Sequence, residues 1–316
     1  MRKILCAFLI LPAVQALAVT GTFRPVQNTF VLSPGAASPF PDANDRNFGG
    51  SGALCVSAAT ARAYDPNEGV NHQPKGEFIT LLQFDPALCA GTTLSEMTLR
   101  LAITSGNQSA NGIFNFLGAP GAFDLYWISN DWQQGYGTSK VVAGDDAGIT
   151  YTGLLSLLEQ VPPTYLETLD YDGRYAYWEG EQWFSFPLDL MDPNYAGFVG
   201  AIEAGETVTL MLTAAPDSDV CFNIRAYLQG SKDGTFAIRE TGPYLDVETR
   251  LASEDVDFDG NGLIDHADAD CILDHWLETG EMLAGDIAPL GGDGVIDMLD
   301  MTEFMAHWPP FDAETE

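Results

Sequence analysis

Between residues 19 and 250 the apolar side chains come in short runs that alternate with polar ones and end at Gly, Pro, Asn or Asp. The alternation is plainest in MTLRLAIT (97–104) and TVTLMLT (207–213). A period of two sends successive side chains to opposite faces of a strand, so these runs predict half-buried antiparallel strands. The pattern predicts strands over 29–33, 53–57, 78–84, 96–103, 122–128, 183–188, 207–213, 220–226 and 244–248, and a single short helix over 151–160. Many short strands separated by turn signals predict a mainly β unit, an antiparallel sandwich, over residues 19–250.

The two ends break this rhythm. At the start, Arg2 and Lys3 precede an apolar run that closes on Ala16-Leu17-Ala18. A basic flank, an apolar stretch and a small-x-small ending form the pattern of a cleaved secretory signal. Residues 1–18 are therefore expected to be removed, leaving a secreted chain that begins near Val19. No later stretch approaches the ~18 consecutive apolar residues that a membrane-spanning helix requires.

At the other end, IDHADADCILDHW (264–276) and IDMLDMTEFMAHW (296–308) repeat with an offset of 32 residues. A duplicated unit this small needs its sibling to bury its apolar face. The first copy opens with DFDGNGLIDHAD (257–268), oxygen side chains at loop positions 1, 3, 5, 9 and 12 and Gly262 at position 6. Calcium takes six to eight oxygen ligands, and alternate carboxylates on a tightly turning loop converge on one centre. Asp257, Asp259, Asn261 and Asp268 are the expected side-chain ligands, Leu263 gives its carbonyl, and Asp265 acts directly or through water. Ile264 is expected to bridge to the partner loop. The second copy keeps Asp293, Val295, Asp297 and Asp300 but carries Pro289 and Gly291 at positions 1 and 3, with Asp286 upstream as a substitute ligand. A helix follows each loop, Ile272, Leu273 and Trp276 making the apolar face of the first and Phe304, Met305 and Trp308 that of the second, and the two faces are expected to pack together.

Charge sharpens the picture. The net charge is -32, and 18 of the 45 acidic residues fall in 251–316, where there is no Lys or Arg. Nucleic acid and anionic membranes are excluded as partners by repulsion, and the acidic segment repels itself unless cations bind it. Four cysteines remain after Cys6 leaves with the signal: Cys55, Cys89, Cys221 and Cys271, which allow three pairings or none.

Paired calcium loops, each followed by one helix, make residues 254–309 resemble a dockerin domain, within a small helical, EF-hand-like module over 251–316. The resemblance implies bound calcium and a cohesin-like scaffold as partner. It places partner recognition at the residues after the ninth loop position, His266 and Ala267 in one copy and Met298 and Leu299 in the other. NFGGSGALCVS (47–57), FITLLQFDPA (78–87), SEMTLRLAI (95–103), Asp131-Trp132 and GPYLDVE (242–248) occur in an order that resembles the secreted jelly-roll modules called DNRLRE. That family is related to carbohydrate-binding modules.

The aromatic and acidic stretch YDGRYAYWEGEQW (171–183) is the candidate glycan surface. Tyr171, Arg174, Tyr177, Trp178 and Trp183 can stack on sugar rings and hydrogen-bond their hydroxyls, with Trp127 and Trp132 as additions. The expected protein is a secreted, non-catalytic calcium-binding protein with a glycan-binding or adhesion sandwich, as in extracellular polysaccharide use. A glycoside hydrolase or polysaccharide lyase is the alternative, with Glu179 and either Glu181 or Asp172 as nominated carboxylates. A structural protein whose calcium module packs on its own sandwich is the third reading.

Overall fold

The computed structural model describes residues 20–35, 42–61, 64–65, 70–71, 76–104, 118–137, 148–174, 182–230, 235–250, 256–258, 264–280, 285–287 and 294–307. The signal-like segment lies outside them. The chain divides into two compact units, a large one made of Thr20–Ala90 and Leu94–Thr249 and a small one centred on Arg250–Glu316. Among the described residues, no helix is long and apolar enough to cross a membrane.

The large unit is mainly β. Its strands and those at its margins are β1 (Thr20–Phe23), β2 (Pro25–Pro34), β3 (Ala53–Ser57), β4 (Tyr64–Asp65), β5 (Val70–Asn71), β6 (Gly76–Phe84), β7 (Thr93–Thr104), β8 (Gly121–Ile128), β9 (Thr164–Tyr171), β10 (Gln182–Pro187), β11 (Val208–Ala214), β12 (Cys221–Arg225), β13 (Leu228–Gly230), β14 (Phe236–Ile238) and β15 (Tyr244–Arg250). Eleven of them form one antiparallel sheet in the order β1-β15-β7-β12-β3-β6-β11-β8-β9, with β10 added to β7 and β2 to β6. Both β6 and β7 have three partners. β6 pairs with β2 along its whole length, while its other edge meets β3 at Phe78 and then β11 from Thr80 to Phe84.

Side chains from β8 and β9 meet those of β10 and β12 in an aromatic core. Phe123 lies 5.3 Å from Phe186 and 5.2 Å from Phe222, both edge-on, and Tyr171 lies 4.8 Å from Phe222. Edge-on rings align the positive edge of one with the negative face of the next. A second cluster gathers Phe30, Phe48 and Phe78 around Cys55 and Cys221. A third, holding Trp132 and Met211, is covered by helix α1 (Tyr151–Gln160), whose Leu154 is fully buried. The Thr150 hydroxyl caps α1 by accepting from Gly153 N at 3.0 Å, which satisfies one of the free first-turn N–H groups.

The NFGGSG run has a packing role. Asn47 donates to the Gln134 carbonyl at 2.7 Å, and Gln134 Nε2 donates to the Gly49 carbonyl at 2.7 Å. A Cβ on Gly49 would lie 1.8 Å from the Gln134 carbonyl oxygen, so only glycine admits this approach.

All nine expected strands and the helix at 151–160 overlap observed elements. β9 was not expected, because a bulge at Leu166 spaces its buried Leu166, Leu169 and Tyr171 unevenly and hides the period of two. Helix α2 (Ala196–Glu203) was not expected either, since its two glycines disfavour a helix. Burial of Phe198, Ala201 and Ile202 outweighs that propensity.

Phe222→Ala is expected to cost about 3–5 kcal/mol, the usual range for emptying a buried phenylalanine site. Denaturant unfolding of variant and parent measures it; a loss below about 1 kcal/mol would remove the aromatic cluster from the account of the core.

Candidate metal and ligand sites

The small unit reproduces its sequence repeat bond for bond. Asp265 caps helix α3 (His266–Asp274), its Oδ1 accepting from Ala267 N at 2.8 Å. Three residues on, Asp268 returns the favour, its Oδ2 accepting from Asp265 N at 2.9 Å, which completes a capping box. In the second copy, before helix α4 (Met298–His307), Asp297 Oδ1 accepts from Leu299 N at 2.7 Å and Asp300 Oδ2 from Asp297 N at 2.7 Å. Asp268 and Asp300 are both fully buried.

Asp286 is drawn into the second loop, where its Oδ2 accepts from Gly294 N at 2.9 Å. Asp300 Oδ1 accepts from Ile287 N at 2.7 Å, so one carboxylate bonds both Ile287 and Asp297. Gly294 has φ of +82°, a conformation a side chain would strain. Val295 bridges Thr279 rather than reaching Ile264, and Leu277 N and Gly280 N donate to Ile296 and Gly294. The expected bridge at Ile264 is therefore corrected: Ile264 packs instead beside the core of Val256, Ile272, Ile296 and Phe304. Of the expected apolar faces, Ile272 and Phe304 are buried, whereas Leu273 and Met305 are exposed. Trp308 lies outside the described residues.

Of the expected calcium ligands, Asp257 is half-buried beside Phe258, and Asp265, Asp268, Asp286, Val295, Asp297 and Asp300 are placed as above. Asp259, Asn261, Leu263 and Asp293 lie outside the described residues. Among the described residues, no three His, Cys, Asp or Glu side chains form a metal-holding group. The oxygen-only donors are of the kind a hard cation takes, and a carboxylate offers about four lone-pair directions, enough to cap a helix and hold a cation together.

His266, Ala267, Met298 and Leu299 are all exposed in the first turns of α3 and α4. Met298 and Leu299 are 63% and 53% exposed, well beyond what a core role requires. Near them, the exposed Leu277 holds φ of +61°. His275 pairs with Glu278 at 3.1 Å on the surface.

In the large unit the expected glycan residues separate. Tyr171 is corrected to a core residue: it is buried, rings of Phe184 and Phe222 pack on it, and its hydroxyl donates to the Arg174 carbonyl at 2.6 Å. Trp132 is likewise buried, its indole N–H donating to Thr209 Oγ1 at 3.1 Å. Arg174 is exposed and paired with Asp172 at 2.5 Å, and its guanidinium lies 5.2 Å over the Phe184 ring. The Arg174 backbone N–H and guanidinium hold the Asp172 carboxyl below the usual range. Trp183 is partly exposed and leans on Tyr244 at 5.2 Å, whose ring is covered by Arg24 at 4.4 Å. Tyr177, Trp178, Glu179 and Glu181 lie outside the described residues.

A cleft of about 410 Å³ opens beside Trp127, walled by Asn130, Asp131, Val161, Pro162 and Thr164. Gly197 lets α2 approach the indole, since a Cβ there would lie 3.0 Å from Trp127 Cζ3, and Phe198 meets the ring edge-on at 6.0 Å. Trp127 is thus oriented before any ligand arrives. Val161, Pro162 and Thr164 carried no signal in the sequence, because they join the cleft only through the pairing of β9 with β8.

Near this region Glu167 accepts a short hydrogen bond from the Tyr195 hydroxyl. Burial lifts the Glu167 carboxyl above its ordinary 4.5; the Tyr195 bond offsets part of the rise, and Asp189 and Asp192 add to it. No protein-family model matches this chain, and no curated protein matches it.

A carboxyl whose folded pKa is raised binds its proton more tightly in the folded chain than in the unfolded one. Its contribution therefore favours folding at low pH and is lost as pH rises above 4.5 through the folded value. Glu167→Gln keeps an acceptor for Tyr195 and removes the titration. The variant is expected to gain stability relative to the parent as pH climbs from 4 toward neutrality, read from unfolding curves across ~pH 4–8. A pH-independent difference would show that Glu167 does not titrate abnormally.

Proposed function

We propose that the chain is a secreted, non-catalytic calcium-binding protein. In this reading its large unit is a jelly-roll sandwich that binds glycan or mediates adhesion, and its small unit is a dockerin-like docking module. The observation that carries the proposal is the pair of matching carboxylate caps, Asp265 with Asp268 and Asp297 with Asp300, in a segment with no Lys or Arg. Two buried carboxylates in so acidic a segment are costly as anions unless N–H donors and a cation offset the desolvation.

Asp257, Asp259, Asn261, Leu263, Asp265 and Asp268 would hold one calcium ion, and Asp286, Asp293, Val295, Asp297 and Asp300 a second. The ion supplies positive charge where the loops converge; the chain supplies the caps that orient Asp268 and Asp300. The three partners each of β6 and β7 support a sheet folded into two layers, as a sandwich requires. The exposed Met298 and Leu299 support docking of a cohesin-like protein through the second copy. Residues 1–18 support secretion.

Glycan binding is best supported at the Trp127 cleft, where an indole face, a carboxylate and hydroxyl groups converge in a volume suited to one or two sugar rings. For the hydrolase or lyase reading, Asp172 pairs with Arg174, and Glu179 and Glu181 lie outside the described residues.

Calorimetric titration of the full chain with calcium is expected to show two binding events, and Asp257→Ala to remove one. At 100 times the dissociation constant, calcium is expected to stabilise the small unit by about 2.7 kcal/mol. Absence of binding heat and of any thermal shift would overturn the calcium reading. For the glycan reading, Asp131→Ala, an exposed position, is expected to lower retention on polysaccharide columns at least severalfold without changing the melting temperature. Equal retention by variant and parent would exclude the cleft, and release of soluble sugar would favour the enzyme.

A further inference from the structure

We propose that Cys55 and Cys221 are joined by a disulfide bond in the mature protein, formed as the chain folds by exchange with a small-molecule disulfide such as oxidised glutathione.

The register of two neighbouring strands carries the argument. β12 runs antiparallel to β3 with Cys221 opposite Ser57 and Asn223 opposite Cys55. Opposed residues share a face, and so do residues two apart, so Cys55 and Cys221 are diagonal neighbours on one face of the sheet. Both thiols are free in the structure, and Cys221 bears on the ionisation of Cys55. Both side chains are buried in the cluster of Phe30, Phe48 and Phe78, where a compact sulfur pair fills the space between rings.

The backbone around both residues is held in place. The Thr80 hydroxyl donates to the Cys55 carbonyl at 2.8 Å, and Cys221 exchanges two backbone bonds with Ala119, at 2.7 and 3.1 Å. These bonds fix the register that keeps Cys55 and Cys221 on one face of the sheet. Cys89 lies in the short turn Ala87–Cys89, and Cys271 in α3; neither is on β3 or β12. Of the three pairings four cysteines permit, the one containing Cys55–Cys221 is the one that the sheet prepares.

The surroundings also set the order of events. Burial, and then contact with Cys221, push the Cys55 thiol well above its ordinary range, and the thiolate is the attacking species in exchange. In the folded core the thiolate is scarce and the oxidant has no access. Attack thus occurs before β3 and β12 close. One cysteine thiolate displaces a glutathione thiolate to give a mixed disulfide, and the second cysteine displaces the other glutathione. Two thiols lose two protons and two electrons, one Sγ–Sγ bond forms, and one glutathione disulfide is reduced to two glutathione thiols. The link closes a loop through most of the large unit, so it restricts the unfolded chain strongly.

The test is to refold the full chain from denaturant in a mixture of oxidised and reduced glutathione, then digest it without reduction and map the linked peptides by mass. A Cys55–Cys221 pair is expected, with a melting temperature about 10 °C above that of protein refolded in dithiothreitol. A Cys55→Ala/Cys221→Ala double variant is expected to show no redox dependence of its melting. Recovery of both residues as free thiols after oxidative refolding, or a link from either to Cys89 or Cys271, would overturn the proposal. Oxidant added after folding is expected to leave the pair reduced for hours; rapid loss of both thiols would overturn the folding-coupled order.

Discussion

An aromatic ring removed from water stabilises a fold by a few kcal/mol only where other apolar groups close over it, and in the large unit that closure comes from strands far apart in the chain. Phe123 on β8, Tyr171 on β9, Phe184 and Phe186 on β10 and Phe222 on β12 cover one another. None of these rings is buried by its own strand. The strands must therefore take the order they do, with β6 and β7 carrying three partners each, for the rings to meet. The burial of Tyr171 follows from that packing, and the same sheet order sets Cys55 and Cys221 on neighbouring strands.

The small unit rests on a different interaction. Among the described residues its apolar core has four fully buried side chains, Val256, Ile272, Ile296 and Phe304. Carboxylates do the rest: Asp265 and Asp268 close the first turn of α3, Asp297 and Asp300 that of α4, and Asp286 and Asp300 span the irregular second loop. Each uses an aspartate where a hydroxyl residue or glutamate is common in caps, which concentrates negative charge at the helix starts, where the macrodipole favours it. The proposed calcium binding would draw on the same side chains as these caps.

In the second copy Pro289 and Gly291 stand where the first has Asp257 and Asp259, while Asp286 accepts from Gly294 N and Asp300 from Ile287 N. The exposed faces also diverge between copies: His266 and Ala267 are polar or small, while Met298 and Leu299 are apolar. Under the docking proposal, a partner that recognised one face would meet a different surface on the other, which favours a single orientation.

Strand positions, the helix at 151–160, the repeat and its aspartates were legible in the sequence, because period-two alternation, cap chemistry and loop spacing are local properties of the backbone. Local pattern also ranked aromatic residues as surface candidates without regard to which side of a strand they occupied. Tyr171 and Trp132 then proved to be core residues, since the bulge at Leu166 and the bond to Thr209 decide their direction. Trp127 was named only as an addition, and its cleft partners Val161, Pro162 and Thr164 not at all. Sequence by itself determined nine of the strands, the helix at 151–160 and the helix after each acidic loop, and where the acidic repeat lies. Tertiary structure alone decided which side chains meet, because pairing between strands distant in the chain sets faces and neighbours that no local pattern encodes.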